Sequence, residues 1–184
     1  SSSSTATFTI VDTTSPEILA ESSIMVDCEA YSAEDSYGSY AEDCGMGSLT
    51  WVDALVSGGC IVPVGAYLRT YTATDDCGNT STAEQIITLV DDVAPVIDME
   101  AADETIECDG MGNLTALNAW LDSNGGASAI DNCSNIEWSN DYVALNDDCG
   151  ATGSVTVIFT ATDDCDNASS TAATFTIEDT TAPD

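Results

Sequence analysis

The chain has 184 residues, of which 33 are acidic and one, Arg69, is basic, so its formal charge is −32. This charge repels nucleic acids and anionic membranes, so we expect no nucleic-acid partner and no insertion into a membrane. The chain contains no histidine, which excludes histidine-dependent catalytic triads, and we expect no enzymatic activity. Because 43% of the residues are hydrophobic, the chain has enough apolar surface to form folded cores.

One segment occurs three times. The sequence ATFTIVDTTSP at Ala6–Pro16 returns as ATFTIEDTTAP at Ala173–Pro183 and, in diverged form, as IITLVDDVAP at Ile86–Pro95. Repetition at such spacing is typical of proteins built from modules that contact their neighbours. We predict a last strand of a preceding module, or a donor strand, at residues 1–12, modules at 13–91 and 92–179, and a linker at 180–184.

Runs of β-branched and aromatic residues predict strands along most of the chain. The turns Asp75–Asn79 and Asp163–Asn167 would close two hairpins, because Asp, Asn and Gly favour tight turns. Residues 49–56 are ambiguous between strand and helix. The predicted strands are at residues 6–10, 23–27, 67–74, 85–90, 105–108, 136–139, 154–162 and 174–177.

One segment breaks the β pattern. Between Asn113 and Gly126 the apolar residues Leu114, Leu117, Trp120 and Leu121 share one helical face. Asn113 is a candidate N-cap and Gly125 a candidate helix stop. The spacing favours packing of Trp120 in a core over exposure as a sugar-binding platform.

The eight cysteines divide into four for each module. An even number without a CxxC pair or a histidine indicates disulfides rather than zinc ligands. Disulfides place the chain in an oxidising compartment, so we predict an extracellular or cell-surface location. The cysteines are Cys28, Cys44, Cys60 and Cys77, then Cys108, Cys133, Cys149 and Cys165.

Several motifs together resemble a known family. They are the Gly-Asn-Leu…Trp-Leu…Asn-Gly-Gly-Ala helix, Asp131-Asn-Cys, Thr-Ala-Thr-Asp-Asp-Cys-(Gly/Asp)-Asn and Asp-Thr-Thr-Ala-Pro. The pattern resembles hyalin-repeat (HYR-like), immunoglobulin-like modules of giant surface and secreted proteins of Bacteroidota-type bacteria, including adhesion and gliding proteins exported through the type IX pathway. The first module departs from it, since Glu42-Asp-Cys replaces Asp-Asn-Cys. The resemblance implies an all-β fold of tandem immunoglobulin-like antiparallel sandwiches, the second with a short inserted helix, and O-glycosylation at Thr13 and Thr180.

An immunoglobulin-like topology also predicts the disulfide pairs. In this topology the B–C and F–G loops share one end of the sandwich, and the A–B and E–F connections share the other. The cysteines that precede the C strands would therefore bond those of the last hairpin turns, and the remaining cysteines would bond at the opposite end. The predicted pairs are Cys44–Cys77, Cys133–Cys165, Cys28–Cys60 and Cys108–Cys149.

The same topology gathers acidic residues where one module enters the next. Carboxylate and amide oxygens are the ligands that calcium prefers, so the pattern predicts calcium sites at these joints. Asp and Asn acting only as turn formers is the alternative. The candidate ligands are Asp12, Glu42, Asp43, Asp75, Asp76 and Asn79 in the first module, and Asp91, Asp92, Asp131, Asn132, Asp163, Asp164 and Asn167 in the second.

These features predict a structural repeat segment of an extracellular fibre or a surface adhesin or motility filament, stiffened by disulfides and calcium. Its partners would be neighbouring modules of the same polymer, with surface glycans or other cells as further candidates. Two alternatives are a glycan-binding accessory module of a secreted enzyme and a self-assembling filament subunit that exchanges donor strands. Arg69 is expected to pair with a carboxylate.

Overall fold

The structure is a computed structural model that describes residues 3–57, 60, 65–147 and 152–182. The chain forms two compact units. The first comprises Ser1–Gly59 and Pro63–Val90, and the second comprises Cys60–Val62 and Asp91–Asp184.

The first unit is a sandwich of a four-stranded and a two-stranded sheet. The larger sheet has the order β2-β6-β5-β4, and the smaller pairs β1 with β3. Residues 49–56, ambiguous in sequence, lie in strand β4 because they alternate between half-buried and exposed. The strands are β1 (Glu17–Leu19), β2 (Ser23–Asp27), β3 (Ser39–Ala41), β4 (Gly47–Val56), β5 (Ala66–Asp75) and β6 (Thr80–Val90).

The second unit repeats this arrangement and adds a helix. Its larger sheet has the order β10-β12-β13-β8, with β11 also pairing with β12, and its smaller sheet pairs β7 with β9. Its elements are β7 (Val96–Met99), β8 (Glu104–Glu107), α1 (Leu114–Asp122), a 3-10 turn (Asn124–Gly126), β9 (Ser128–Ile130), β10 (Ile136–Asn140), β11 (Asn146–Asp147), β12 (Gly153–Asp163) and β13 (Ala168–Glu178).

The all-β fold of tandem immunoglobulin-like sandwiches with an inserted helix is therefore confirmed. The sheets are mostly antiparallel, as predicted, but each unit also has one parallel pair, β2 with β6 and β8 with β13. These parallel pairs bring an early strand of each unit beside its last strand, a pairing that a hairpin cannot make.

The two cores use equivalent positions with different chemistry. In the second unit the inward residues of β12 and β13 are apolar, and Leu117 and Trp120 of α1 pack on them. In the first unit Arg69 and Gln85 occupy two of these positions and are fully buried. These inward positions are therefore all apolar in the second unit, whereas the equivalent positions in the first unit include a polar network. The inward residues are Val157, Phe159, Ala173, Phe175 and Ile177 in the second unit, and Arg69, Tyr71, Gln85, Ile87 and Leu89 in the first.

Helix α1 confirms the predicted helix with two corrections. Leu114 is 63% exposed, because the helix contacts the core through Leu117 and Trp120, one and two turns further along. Asn113 precedes the helix, as predicted, but makes no side-chain cap. Its amide instead accepts from the Asp109 N–H and donates to the Glu107 carbonyl. Gly125 has a positive φ of 65° in the 3-10 turn after the helix.

Residues 6–10, predicted as the last strand of a preceding module or as a donor strand, belong to no strand in the first unit. Residues 3–16 lie in no helix or strand, and Phe8 and Ile10 are 88% and 81% exposed. The equivalent residues of β13, Phe175 and Ile177, lie in a sheet and are buried. The first unit already has its own last strand in β6, so this segment has no matching place in that sheet.

The disulfides differ from the predicted pairs. Cys60 bonds Cys165, with Cα atoms 4.9 Å apart, and Cys28 and Cys133 are also disulfide-bonded. The pairs Cys28–Cys60 and Cys133–Cys165 are therefore wrong. The prediction assumed that each unit pairs its own four cysteines, but Cys60 belongs to the second compact unit.

The remaining cysteines complete this correction. Cys44 and Cys77 are exposed thiols, so the predicted Cys44–Cys77 bond is not formed. The β4–β5 register ends at the pair Gly47–Asp75, so Cys44 and Cys77 both lie in loops beyond the paired strands. Cys149, predicted to bond Cys108, lies outside the described residues.

Candidate metal centres

Each unit has an acidic hairpin turn that holds one buried carboxylate in place. Asp75, the last residue of β5, accepts hydrogen bonds from the Cys77 N–H at 2.9 Å and the Asn79 N–H at 2.8 Å. Asp163, the last residue of β12, accepts the same bonds from Cys165 and Asn167, both at 2.8 Å. Both Asp75 and Asp163 are 6% exposed. An Asp that bonds the backbone two residues ahead builds a tight turn, so the turn chemistry fixes these side chains.

The Asn at the end of each turn connects it to the incoming segment. Asn79 Nδ2 donates to Asp75 Oδ2 at 2.7 Å and to the Asp12 carbonyl at 3.3 Å. Asn167 Nδ2 donates to Asp163 Oδ2 at 2.8 Å and to the Asp91 carbonyl at 3.1 Å. Each Asn therefore positions the residue that supplies a second carboxylate.

A third carboxylate comes from the loop after β3 in the first unit and the loop after β9 in the second. Glu42 Oε1 accepts from the N–H groups of Asp43 and Cys44, both at 3.0 Å. Asp131 Oδ1 accepts from the N–H groups of Cys133 and Ser134, at 2.9 and 2.8 Å. Both loops thus fold around an acidic side chain.

Three carboxylates meet in each unit. One oxygen from each of Asp12, Glu42 and Asp75 lies within 4.8 Å of the others, as does one from each of Asp91, Asp131 and Asp163. We call these sets the first triad and the second triad. They occupy equivalent positions, and all six residues belong to the set predicted from the sequence.

The carboxylates of the second triad repel one another. Burial raises the pKa of the Asp91 carboxyl, and the charges of Asp131 and Asp163 raise it further, against hydrogen bonds from Val93 and Ser134. The Ser134 hydroxyl donates to Asp91 Oδ2 at only 3.5 Å, a distance at which a hydrogen bond is weak. Ionised Asp91 therefore has less compensation than a buried carboxylate needs.

Asp75 in the first triad differs from Asp91. Burial disfavours its charged form, but hydrogen bonds from Asn79 and the backbone N–H groups of Asn79, Cys77 and Gly78 outweigh burial and hold its pKa below the usual range. Asp75 therefore remains ionised at neutral pH. The one basic residue of the chain, Arg69, pairs with Asp53 instead of this carboxylate.

One carboxylate oxygen of the first triad is buried without a hydrogen-bond partner among the described residues. Asp12 Oδ1 accepts from the Thr14 N–H at 2.9 Å, whereas Asp12 Oδ2 is buried and has no hydrogen-bond partner among the described residues. A buried carboxylate oxygen without a partner is rare and costly, and a bound ion or water is the usual explanation. Carboxylate oxygens around such an atom suit a hard divalent cation.

The other predicted ligands lie outside the triads. Asp76 accepts from the Met46 N–H at 3.1 Å, and Asp164 accepts from Asn135 Nδ2 at 3.0 Å, so both fasten neighbouring loops. The structure places Asp43, Asp92 and Asn132 at exposed positions beside the triads. Sequence analysis did not identify Ser134, although its place after Asp131-Asn-Cys in an Asx turn is a signal that could have done so.

The two glycosylation candidates differ in their surroundings. Thr13 is exposed beside Asp12. The Thr180 hydroxyl donates to Glu107 Oε2 at 2.7 Å, and its N–H donates to Glu107 Oε1 at 3.0 Å. These bonds lower the pKa of the Glu107 carboxyl. They also engage the Thr180 hydroxyl, to which a sugar would be attached.

No protein-family model matches the chain, and no curated protein matches it in sequence. The chain is similar to solved structures of cadherin extracellular domains. Drosophila N-cadherin EC1-4 is 14% identical with a TM-score of 0.39, and the match covers 90% of this chain and 50% of that one. Human Protocadherin-24 EC1-2 is 12% identical with a TM-score of 0.36, covering 92% of this chain and 100% of that one. For Protocadherin Gamma B7 EC1-4 the values are 16% identity, a TM-score of 0.33, and 90% and 51% coverage. The chain thus spans about half the length of the N-cadherin and Protocadherin Gamma B7 structures.

Trp120 and Trp51 are both engaged in contacts within their units. Trp120 is 4% exposed, and its Nε1 donates to the Ala102 carbonyl at 3.1 Å, so its predicted packing role is confirmed. Trp51 Nε1 donates to the Ala33 carbonyl at 2.9 Å, and its ring centroid lies 5.2 Å from Arg69 Cζ.

In the described part of the chain, no helix has the length and apolar character needed to cross a membrane.

Proposed function

We propose that the chain is a structural repeat segment of an extracellular fibre or surface adhesin whose modules bind calcium at the two triads. The observation that carries the proposal is the buried, unpartnered Asp12 Oδ2 in one of two equivalent carboxylate triads. A repeated site in a repeated module supports a role in the polymer rather than in one catalytic pocket.

The donor set fits calcium. Each triad supplies three carboxylates, which can bind through one or both oxygens, and calcium takes six to eight oxygen ligands. Asp12 and Asp91 each belong to the segment that leads into a unit. A cation at each triad would therefore tie that segment to the loops of its own unit.

The electrostatics support an external cation. The chain carries a formal charge of −32, and its one basic side chain is buried against Asp53. Neutralising a triad therefore requires an ion from solution. Extracellular modules typically bind calcium with dissociation constants of about 10⁻⁴–10⁻³ M, which suits such exported proteins.

Titration calorimetry and thermal unfolding with calcium test this proposal. We expect two sites per chain and, for each site, stabilisation of its unit by about 2.7 kcal/mol at a free calcium concentration one hundred times the dissociation constant. Asp12→Asn should remove the first site and Asp131→Asn the second. Asp43→Asn and Asp92→Asn, which neutralise exposed neighbours of the triads, are matched controls and should retain both sites. Absence of binding heat together with an unchanged melting temperature would leave the carboxylates as turn formers only.

The surface location needs its own test. Immunogold labelling of intact cells that produce the protein should decorate extended material outside the cell. Labelling that requires permeabilisation would contradict the proposal. The narrower proposal of an HYR-like module exported through the type IX pathway and used in gliding rests on the sequence motifs, and loss of export in a type IX secretion mutant tests it.

A further inference from the structure

Among the described residues, no strand pairs with the outer edge of strand β4. β4 has ten residues and is the terminal strand of its sheet, and its register with β5 is unbroken from Gly47–Asp75 to Val56–Ala66. Natural edge strands usually resist addition through lysine, proline, bulges or inward charges. Strand β4 contains no lysine or proline, and its one charged side chain, Asp53, is bonded to Arg69 at 2.7 Å and only 14% exposed. Asp53 is an inward charge, but its pairing with Arg69 neutralises it, so β4 is a weakly protected edge.

A groove runs along this strand. It has a volume of about 450 Å³ and is lined by Ala33, Glu34, Leu49, Thr50, Trp51 and Asp53. Leu49, Trp51 and Asp53 lie on the half-buried face of β4, whereas Thr50 lies on its exposed face. A strand added to this edge would therefore place every second side chain beside Leu49 and Trp51.

The same chain carries a segment suited to this edge. Residues 6–11 have the sequence ATFTIV, without charge or proline, and Phe8, Ile10 and Val11 are 88%, 81% and 72% exposed. The identical letters ATFTI at 173–177 lie in β13, where Phe175 is fully buried and Ile177 is 2% exposed. The exposed copy thus has the alternation of a core strand, and the described residues form no sheet around it.

We propose that residues 6–11 of one copy of this chain add as a strand to the β4 edge of a second copy, with Phe8 in the groove beside Trp51. Strand addition gives affinity through backbone hydrogen bonds and specificity through alternate side chains. A second copy is favoured because Phe8, Ile10 and Val11 are exposed in their own chain and are not packed on its β4 edge. The bonds from Asn79 and Ser81 to the carbonyls of Asp12 and Pro16 hold the residues that follow the segment against its own unit.

Charge favours the same pairing. The segment is uncharged in a chain with a formal charge of −32, so strand addition joins parts of two copies that repel each other least. The remaining charge makes association stronger as salt screens the repulsion. Since donor and acceptor surfaces differ, the contact is heterologous and copies can join into an open filament.

Sedimentation velocity over a concentration series in EDTA tests the proposal independently of calcium. The wild-type chain should associate, more tightly at higher salt. Phe8→Asp on the donor and Val52→Asp on the acceptor should each weaken association by about tenfold to a hundredfold, because an apolar anchor or edge is lost. Val143→Asp adds the same charge at a position that is 89% exposed and should associate like the wild type. Far-UV circular dichroism and melting temperature verify that each variant is folded.

Mixing gives the sharper measurement. The Phe8→Asp variant keeps an intact edge and the Val52→Asp variant keeps an intact segment, so an equimolar mixture should form a heterodimer that does not grow. A peptide of residues 5–12 should inhibit wild-type association, whereas a scrambled peptide should not. Hydrogen exchange should show slower exchange of β4 amides on association.

Several results would overturn the proposal. The first is a wild-type chain that stays monomeric at all protein and salt concentrations. The second is a loss of association in Val143→Asp equal to that in Phe8→Asp or Val52→Asp. The third is a mixture of Phe8→Asp and Val52→Asp that fails to form the heterodimer. Protection of β4 in a monomer would show that the segment folds back on its own chain, which also contradicts the proposal. None of these outcomes depends on whether the triads bind calcium.

Discussion

Arg69 and Asp53 form a two-point ion pair inside the first unit. Arg69 Nε lies 2.7 Å from Asp53 Oδ1, and Arg69 Nη2 lies 2.7 Å from Asp53 Oδ2. The guanidinium is fully buried and also donates to the carbonyls of Asp35 and Ala33, at 2.5 and 3.3 Å. Its Cζ is 5.2 Å from the ring centroid of Tyr37. The single cation of the chain thus connects strands β4 and β5 to the loop before β3.

Asp53→Ala should destabilise the first unit strongly. Removing one partner of a buried ion pair leaves an uncompensated charge, which costs about 3–5 kcal/mol. Urea unfolding measures the change, followed by tryptophan fluorescence with Trp120 and Trp138 replaced by Phe in every variant so that Trp51 alone reports. Asp43→Ala removes an exposed carboxylate and should cost less than about 0.5 kcal/mol. A double variant Asp53→Leu/Arg69→Met should recover much of the loss, since apolar replacement of a buried pair is often neutral. Equal effects of Asp53→Ala and Asp43→Ala would contradict this prediction.

Tyr31 should make the first unit sensitive to alkali. Burial raises the pKa of the Tyr31 hydroxyl to about 12, aided by its hydrogen bond to Asp53. Because the folded state holds the phenolic proton more tightly than the unfolded state, this contribution to stability is complete below pH 10 and is lost as the pH rises towards 12. Tyr31→Phe should reduce the decline of unfolding free energy across this range. An identical decline in the variant, measured by urea unfolding at stepped pH, would argue against it.

The substitution Asp91→Asn should stabilise the fold without calcium and make it less stable than the wild type with calcium. Its pKa is raised by burial and by Asp131 and Asp163, so the folded state binds the proton more tightly than the unfolded state. The stability present below the ordinary carboxyl pKa of 3.8 is therefore lost as the pH rises through the raised value. In EDTA at neutral pH, Asp91→Asn should stabilise the fold by an amount on the order of 1 kcal/mol.

In saturating calcium the wild type should be more stable than Asp91→Asn, because the wild type gains binding energy that the variant lacks. Thermal unfolding at neutral pH and near pH 3, in EDTA and in calcium, measures both effects. Asp92→Asn, which removes an exposed charge on the adjacent residue, is the matched control. A variant that is less stable than the wild type in EDTA would show that Asp91 is compensated without an ion.

The triads could be predicted from the sequence because local turn chemistry determines them. Asp75 and Asp163 bond backbone groups within four residues, and the repeat places the two turns at equivalent points. The sequence could not separate Asp91 from Asp92, because which of two adjacent side chains turns inward depends on the packing of the whole loop.

Other features depended on partners far along the chain. The letters ATFTI form a strand at 173–177 and an unpaired segment at 6–10, since strand propensity is expressed only beside a free edge. The Cys60–Cys165 bond joins residues 105 positions apart, and no local spacing identifies such a pair. The burial of Arg69 could not be predicted from the sequence either, because only the tertiary fold brings it to Asp53 and to the carbonyls of the loop before β3.

Trp120 should be the main anchor of helix α1. Its ring centroid lies 5.1 Å from that of Phe159 in an edge-to-face arrangement and 5.4 Å from that of Phe175. Trp120→Ala should therefore cost about 3–5 kcal/mol, since it removes these contacts and leaves a cavity under the helix. Leu114→Ala, in the same helix but 63% exposed, should cost less than about 1 kcal/mol and is the matched control. Urea unfolding followed by far-UV circular dichroism measures both. If the two substitutions cost the same, the helix is held by contacts other than this aromatic cluster.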